Sequence, residues 1–333
     1  MRRVTVADIM RETGLSRATV DRALNGRGRV HERTRQVVEE TLRRLMSPVA
    51  EASARPVAAD IALRVGKGMM AQMRAAWGAS GVKGAFHDLH LADEATVLRC
   101  IDALCRDRSR PLILTVKNSD RITAVLASAR AKGKRVVALV SDLAPTARDA
   151  FVGLDDRAAG QTAAFLIGRM LGDRPTTVGV VLGSTAFRCH EDREIGFRSG
   201  LRANFPKVVI SGEAQGEDSA DLTRAAVGRL MREHPAMGAI YNVGGGNVGL
   251  VEALRAAGRA TDMLVIGHEV NPVTSPLLRG GAMDFAIAGD PAALLSAALR
   301  FLAETAPAKL GAERLLDFGV YTRFNLPTFG LAE

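Results

Sequence analysis

Apolar positions follow two rhythms along this chain. Over the first 45 residues they recur three and four apart: Val6, Ile9 and Met10, then Val20 and Leu24, then Val37, Val38, Leu42 and Leu45. That spacing lays a stripe along one side of a helix. Thr5 is placed to cap a first helix that Gly14 ends, and Ser16 to cap a second running from Arg17 to about Asn25. A third runs from Glu32 to about Leu45. Only Gly14, Leu15 and Ser16 join the first two, which forces a sharp angle and predicts an all-α, three-helix, helix-turn-helix head. From residue 60 the rhythm changes. Short apolar runs at 61–63, 112–114, 136–140, 178–182, 208–210, 239–241 and 263–266 alternate with amphipathic stretches at 94–106, 120–132, 158–171, 191–204, 222–233 and 249–257. Such βαβ alternation predicts an α/β body of two doubly wound parallel-sheet lobes.

Between the two regions, residues 46–59 (MSPVAEASARPVAA) are rich in Pro and Ala and read as a linker. The expected division is therefore a head at 1–46, a hinge linker at 47–60 and a body at 61–333. Charge sharpens the division. The chain of 333 residues carries +9, and residues 1–55 hold 12 Arg against 7 acidic residues, so more than half of the excess lies on a sixth of the length. A basic head on a nearly balanced body points to a polyanion partner for the head. No apolar run approaches the ~20 residues of a membrane span, which argues against a membrane partner. The N-terminus shows no apolar leader segment, and Cys100, Cys105 and Cys189 lack metal spacing and read as reduced thiols. The expected location is cytoplasmic, with no metal and no cofactor.

In a helix-turn-helix the second helix enters the major groove by its first residues. Here those are Arg17, Ala18 and Asp21, with Arg22 a turn later. Arg17 can grip guanine O6 and N7, and Ala18 can touch a thymine methyl. Thr5, Ser16, Thr19, Asn25 and Arg29 complete the predicted contacts to double-stranded DNA. Because one head reads one half-site, a homodimer on a two-fold operator is expected.

In doubly wound sheets ligands bind beyond the carboxyl ends of the strands, and the residues there are polar. Ser141 and Asp142 follow one run, and Ser184 and Phe187, leading to Arg193, follow another. Asn242, Gly244 and Asn247 follow the Tyr241 run, His268 and Glu269 follow Ile266, and Asp290 follows Ile287. Together they predict a cleft that binds a small polar ligand. Gly244 to Gly249 also satisfies G-x-G-x-x-G. An NAD-dependent enzyme, or a cytoplasmic binding protein with a helical head, is the alternative. No catalytic constellation accompanies the glycines, so the chain is not expected to be an enzyme.

The run Val4 to Ile9, then Gly14-Leu15-Ser16, then Ala18 to Gly26 resembles the head of the LacI/GalR family of transcriptional regulators. Val152 to Gly160 resembles that family's segment entering the crossover between lobes. The resemblance implies a repressor whose body is a periplasmic-binding-protein-like (type I) sensor of a sugar or sugar derivative. It implies a first lobe of about 61–170 and 289–318, and a second of about 171–288 and 319–333. Arg193 matches the family's sugar-gripping arginine, and Glu269 stands where a sugar-binding Asp is usual. Asp21 departs from the usual Ser, and Gly244 from the usual Asn. Arg55 falls near the expected hinge leucine, where it would read the minor groove.

Overall fold

A computed structural model describes residues 6–25, 30–46, 58–171, 176–184, 186–304 and 311–327. The chain separates into two compact units, residues 1–55 and 56–333. In the first, α1 (Val6–Thr13), α2 (Arg17–Asn25) and α3 (Glu32–Met46) pack around buried Ile9, Val20, Ala23 and Val38. Gly14 takes φ +69°, its N–H donating to the Met10 carbonyl at 2.9 Å, and Ser16 Oγ accepts from the Thr19 N–H at 3.2 Å. Gly14 and Ser16 thus stop and start these helices as read from the sequence, while the expected cap Thr5 lies outside the described residues.

The second unit holds two six-stranded sheets. The first contains β1 (Asp60–Leu63), β2 (Phe86–Asp88), β3 (Leu112–Thr115), β4 (Val136–Leu139), β5 (Ala150–Leu154) and β11 (Ala312–Leu316), in the order β11-β5-β4-β3-β1-β2, all parallel. Side chains alternate across it. Ile61, Leu63, Val137 and Leu139 meet α4 (Lys67–Ala79) and α12 (Pro291–Ala303), while Ala62, Leu112, Leu114 and Ala138 meet α5 (Glu94–Arg106) and α6 (Asp120–Ala131). Burial on both faces is what makes these strands continuous apolar runs.

The second sheet contains β6 (Thr176–Leu182), β7 (Val208–Gln215), β8 (Met237–Asn242), β9 (Leu264–His268), β10 (Phe285–Ala288) and β12 (Gly319–Tyr321), in the order β12-β10-β9-β8-β6-β7. Contrary to the all-parallel expectation, β12 runs antiparallel to β10. The chain enters it by a short return from the first lobe, with no crossover helix to force parallel pairing. One face carries α7 (Asp156–Leu171) and α8 (Arg188–Asn204), the other α9 (Ala220–Glu233) and α10 (Asn247–Ala256).

The lobe boundary differs from the expected residue 170. Helix α7 lies on the second lobe, its Gly160 and the Gly196 of α8 letting the two backbones meet. A Cβ at Gly160 would stand 2.0 Å from the Arg193 carbonyl oxygen, and one at Gly196 2.1 Å from that of Arg157. The first crossover therefore falls at residues 154–156, and two more lie at 288–291 and 316–319. Among the described residues no helix is long and apolar enough to cross a membrane.

Candidate functional site

The carboxyl ends of both sheets face one cleft, which is closed. The Asn118 N–H of the first lobe donates to the Ala186 carbonyl of the second at 2.8 Å, and Gln72 Nε2 donates to the Val270 carbonyl at 3.0 Å. At its floor, beside the crossovers, lies a cavity of about 20 Å³, room for roughly one water. The first lobe lines it with Met69, Val140, Leu154 and Leu294, the second with Arg193 and Glu269.

Arg193 is held by a buried ion pair. Its Nε donates to Asp156 Oδ1 at 2.7 Å and its Nη1 to the Val243 carbonyl at 3.0 Å. Burial would lower the guanidinium's pKa, but the Asp156 carboxylate outweighs it and the arginine stays charged. Burial pushes the Asp156 carboxyl up, with Arg193 opposing. Glu269 is also pushed up by burial, again opposed by Arg193, and its Oε2 accepts from Asn271 Nδ2 at 2.8 Å.

A second cluster sits beside this floor. Asp218 Oδ1 accepts from the Gly245 N–H at 2.7 Å, and the buried His190 ring places Nδ1 3.8 Å from Asp218 Oδ2. Burial lowers the pKa of His190 and favours the neutral ring. A Cβ at Gly244 would stand 2.4 Å from Asp218 Oδ1. Asp218 thus fills the space that a side chain at 244 would occupy. Its carboxylate also meets the amide of the glycine turn before α10, where a bound phosphate would be expected. The dinucleotide reading of Gly244 to Gly249 fails for that reason.

All four non-glycine residues with positive φ among the described residues end strands or start loops at this cleft: Val140 (67°), Glu217 (47°), Asp218 (61°) and Glu269 (70°). Such conformations cost about 1–3 kcal/mol each and gather at functional sites.

Other predicted ligand residues are placed differently. Ser141 is buried, its Oγ 3.4 Å from the Cys189 N–H across the cleft. Ser184 and Phe187 stand at the start of α8, with the Phe187 ring 5.5 Å from that of His190. Asp142 turns away to pair with buried Arg148. Asn242 donates to the Gly245 carbonyl and to Asn247 Oδ1, both at 2.8 Å, and Asn247 Nδ2 reaches the His268 carbonyl at 3.4 Å. His268 Nε2 bonds the Tyr241 hydroxyl at 2.8 Å. These three shape the glycine turn rather than line the cavity. Asp290 is exposed and caps α12, accepting from the Ala292 N–H at 2.9 Å. Sequence reasoning missed Gln72, Val140 and Asp218. For Val140 a branched residue just past β4 was the available signal; Gln72 lies inside α4 and Asp218 in the loop after β7.

The comparisons can now be set beside this geometry. Residues 65–309 match the periplasmic binding protein domain. The chain belongs to that family. Its members are binding proteins, not enzymes. A D-ribose/D-allose-binding protein of Pseudomonas aeruginosa is 25% identical over 202 residues, 57% of this chain and 60% of that one. The chain thus spans less than two thirds of that relative's length. In fold it is similar to an ABC transporter solute-binding protein of Burkholderia graminis in complex with D-arabinose: TM-score 0.74, 19% identity, 83% of this chain and 99% of that one. It is similar also to a periplasmic solute-binding protein of Actinobacillus succinogenes with bound D-allose: TM-score 0.71, 16% identity, 81% and 98%.

These matches correct several expectations. A repressor of the LacI/GalR kind was expected, yet the relatives are sugar- and solute-binding proteins, and the matched residues begin after the head. Transcriptional regulation and operator binding are therefore withdrawn, and with paired half-sites gone the argument for a homodimer lapses. The expected cytoplasmic location falls too, since the matched family and transporter components are described as periplasmic. Of the residues assigned to DNA, Ser16, Arg17, Ala18, Asp21 and Arg22 are exposed on or beside α2, Thr19 is half-buried and Asn25 ends the helix. Thr5, Arg29 and Arg55 lie outside the described residues.

Proposed function

We propose that the two-lobed body of this periplasmic binding protein takes up a small sugar in the cleft between its sheets. One observation carries the reading: a single cavity is walled by both lobes, with Arg193 and Glu269 on its floor. A guanidinium donates to ring and hydroxyl oxygens, and a carboxyl group accepts from hydroxyls. The sugars bound by the relatives, ribose, allose and arabinose, support the same ligand chemistry. The closed cavity of about 20 Å³ is smaller than any sugar ring, so uptake requires the Asn118–Ala186 and Gln72–Val270 contacts to part. Sites on two lobes joined by crossovers commonly work by hinge closure.

Calorimetric titration of the full chain with D-ribose, D-allose and D-arabinose, extended to other pentoses and hexoses, tests this. A saturable heat is expected with at least one, weakened about 10-fold or more in Glu269→Gln, because a hydrogen bond to a charged group is lost. If no sugar gives heat at millimolar concentration, the reading is wrong.

A further inference from the structure

Helix α4 is pressed against the second lobe at its first turn, and a glycine makes the contact. Gly68 is buried in that turn. It does not take the left-handed φ that demands glycine, and glycine is a poorer helix former than alanine. Close approach explains it instead. A Cβ at Gly68 would stand 2.2 Å from Asn271 Cγ, 2.3 Å from its Oδ1 and 2.4 Å from its Nδ2, whereas a Cβ at Gly78, in the same helix, would meet nothing within 4 Å.

Asn271 cannot step aside cheaply. It is buried, its Oδ1 accepts from the Val273 and Thr274 N–H groups at 2.9 and 3.1 Å, and its Nδ2 donates to Glu269 Oε2 at 2.8 Å. One turn further along the same face of α4, Gln72 donates to the Val270 carbonyl at 3.0 Å. Gly68 and Gln72 thus seat the helix on Val270 and Asn271, directly beside Glu269. The Asn118–Ala186 bond and an ion pair of Lys117 with Glu217 at 3.8 Å brace the same closed form. With the helix seated, the cavity of about 20 Å³ admits no sugar ring. Seating and sugar binding therefore exclude each other, and a ligand that binds only the parted form has its affinity reduced by the fraction of molecules in that form.

We infer that this contact is autoinhibitory: α4, seated on Val270 and Asn271 through Gly68 and Gln72, holds the cleft shut against sugar, and the strength of the seat sets the protein's affinity. The inference rests on the sugar-binding reading above. Sugar is held by lobes that stand further apart, and Gly68 is the residue whose missing side chain permits full closure.

The full chain is titrated by calorimetry with D-ribose, D-allose and D-arabinose as wild type, Gly68→Ala and Gly78→Ala, each checked for folding by its melting temperature. Small-angle X-ray scattering gives the radius of gyration of each with and without sugar. Gly68→Ala should bind the accepted sugar about 5-fold or more tightly than wild type, the shift that one methyl forced into a packed contact brings. Without sugar it should also be the more expanded, while Gly78→Ala matches wild type in both measurements. Unchanged or weaker affinity in a folded Gly68→Ala overturns the inference while sugar binding stands. Should Gly68→Ala melt well below wild type, wild type alone decides: being already shut, it should not contract when sugar is added, and a contraction overturns the inference. If no sugar binds either wild type or Gly68→Ala, both readings fall.

Discussion

Removing Asp156 should be among the most damaging single changes in this protein, and its pH dependence should differ from that of removing its partner. Arg193 and Asp156 are 9% and 5% exposed and meet at 2.7 Å. Deleting one member of a buried pair strands a charge, at a cost of about 3–5 kcal/mol. At ~2–4 °C per kcal/mol for a domain of this size, Asp156→Ala should melt on the order of 10 °C lower. A guanidinium cannot discharge, so the variant has no titrating partner at this site; wild type does, since burial pushes Asp156 up, and the deficit should shrink rather than grow as pH rises from 4.5 to 8. Arg193→Met strands a carboxylate instead, and a carboxylate can take up a proton. Burial already pushes Asp156 up, and losing the opposing Arg193 pushes it further. A raised folded-state pKa means stability that is present below the unfolded value and lost as pH rises through the folded one. The Arg193→Met deficit should therefore be small near pH 4 and grow toward pH 8, by at most ~1.4 kcal/mol per pH unit. Urea denaturation across that range, followed by circular dichroism, measures both. A deficit below about 1 kcal/mol for Asp156→Ala, or the same pH profile for both variants, would refute the reasoning.

Two glycines should respond with opposite signs in the same assay. Gly160→Ala drives a Cβ to within 2.0 Å of the Arg193 carbonyl oxygen, so α7 and α8 must separate, costing ~1–3 kcal/mol. In Gly228→Ala, within α9, the nearest atom is Arg232 Nη1 at 3.7 Å, and the variant should gain ~0.5–1 kcal/mol of helix stability. His268, 2% exposed, is held neutral by burial, its pKa well below the ordinary value. A depressed folded-state value means stability present above pH 6.5 and lost as pH falls, by up to ~1.4 kcal/mol per unit. The advantage of wild type over His268→Gln should shrink on acidification, and an advantage that grows would contradict the buried neutral ring.

The sheets were legible because their strands are buried on both faces and so read as unbroken apolar runs, such as 136–140 and 178–182. Three helices escaped, one of them the five-residue α11 (Ser275–Arg279). In α12 (PAALLSAALRFLA) apolar residues surround the helix and no stripe stands out, while in α4 glycines at 68 and 78 blur the period. Arg193 and Glu269 were found by position, one following β6 into α8 and the other directly ending β9. Asp218 was not, because only the left-handed turn at Glu217 and Asp218 brings its carboxylate over the glycines. Asn242 and His268 share the strand-end signature of cleft residues, and nothing in a linear pattern tells a ligand contact from a bond made to the neighbouring loop.

Three passages between the lobes also govern how this polypeptide can be made. Strand β5 has its outer neighbour, β11, some 160 residues further on, pairing Ala150 with Ala312. Helix α12, which covers Ile61, Leu63 and Val137, comes from the same late stretch. During synthesis the first lobe therefore waits with one sheet edge unpaired and one apolar face covered by α4 alone until the second lobe has emerged almost entirely. Folding one lobe after another from the ribosome, the usual course for tandem domains, is closed to it. A chain released before residue 290 would leave uncovered the part of that face that α12 packs on, which makes the late residues the ones whose loss a cell would meet as aggregation.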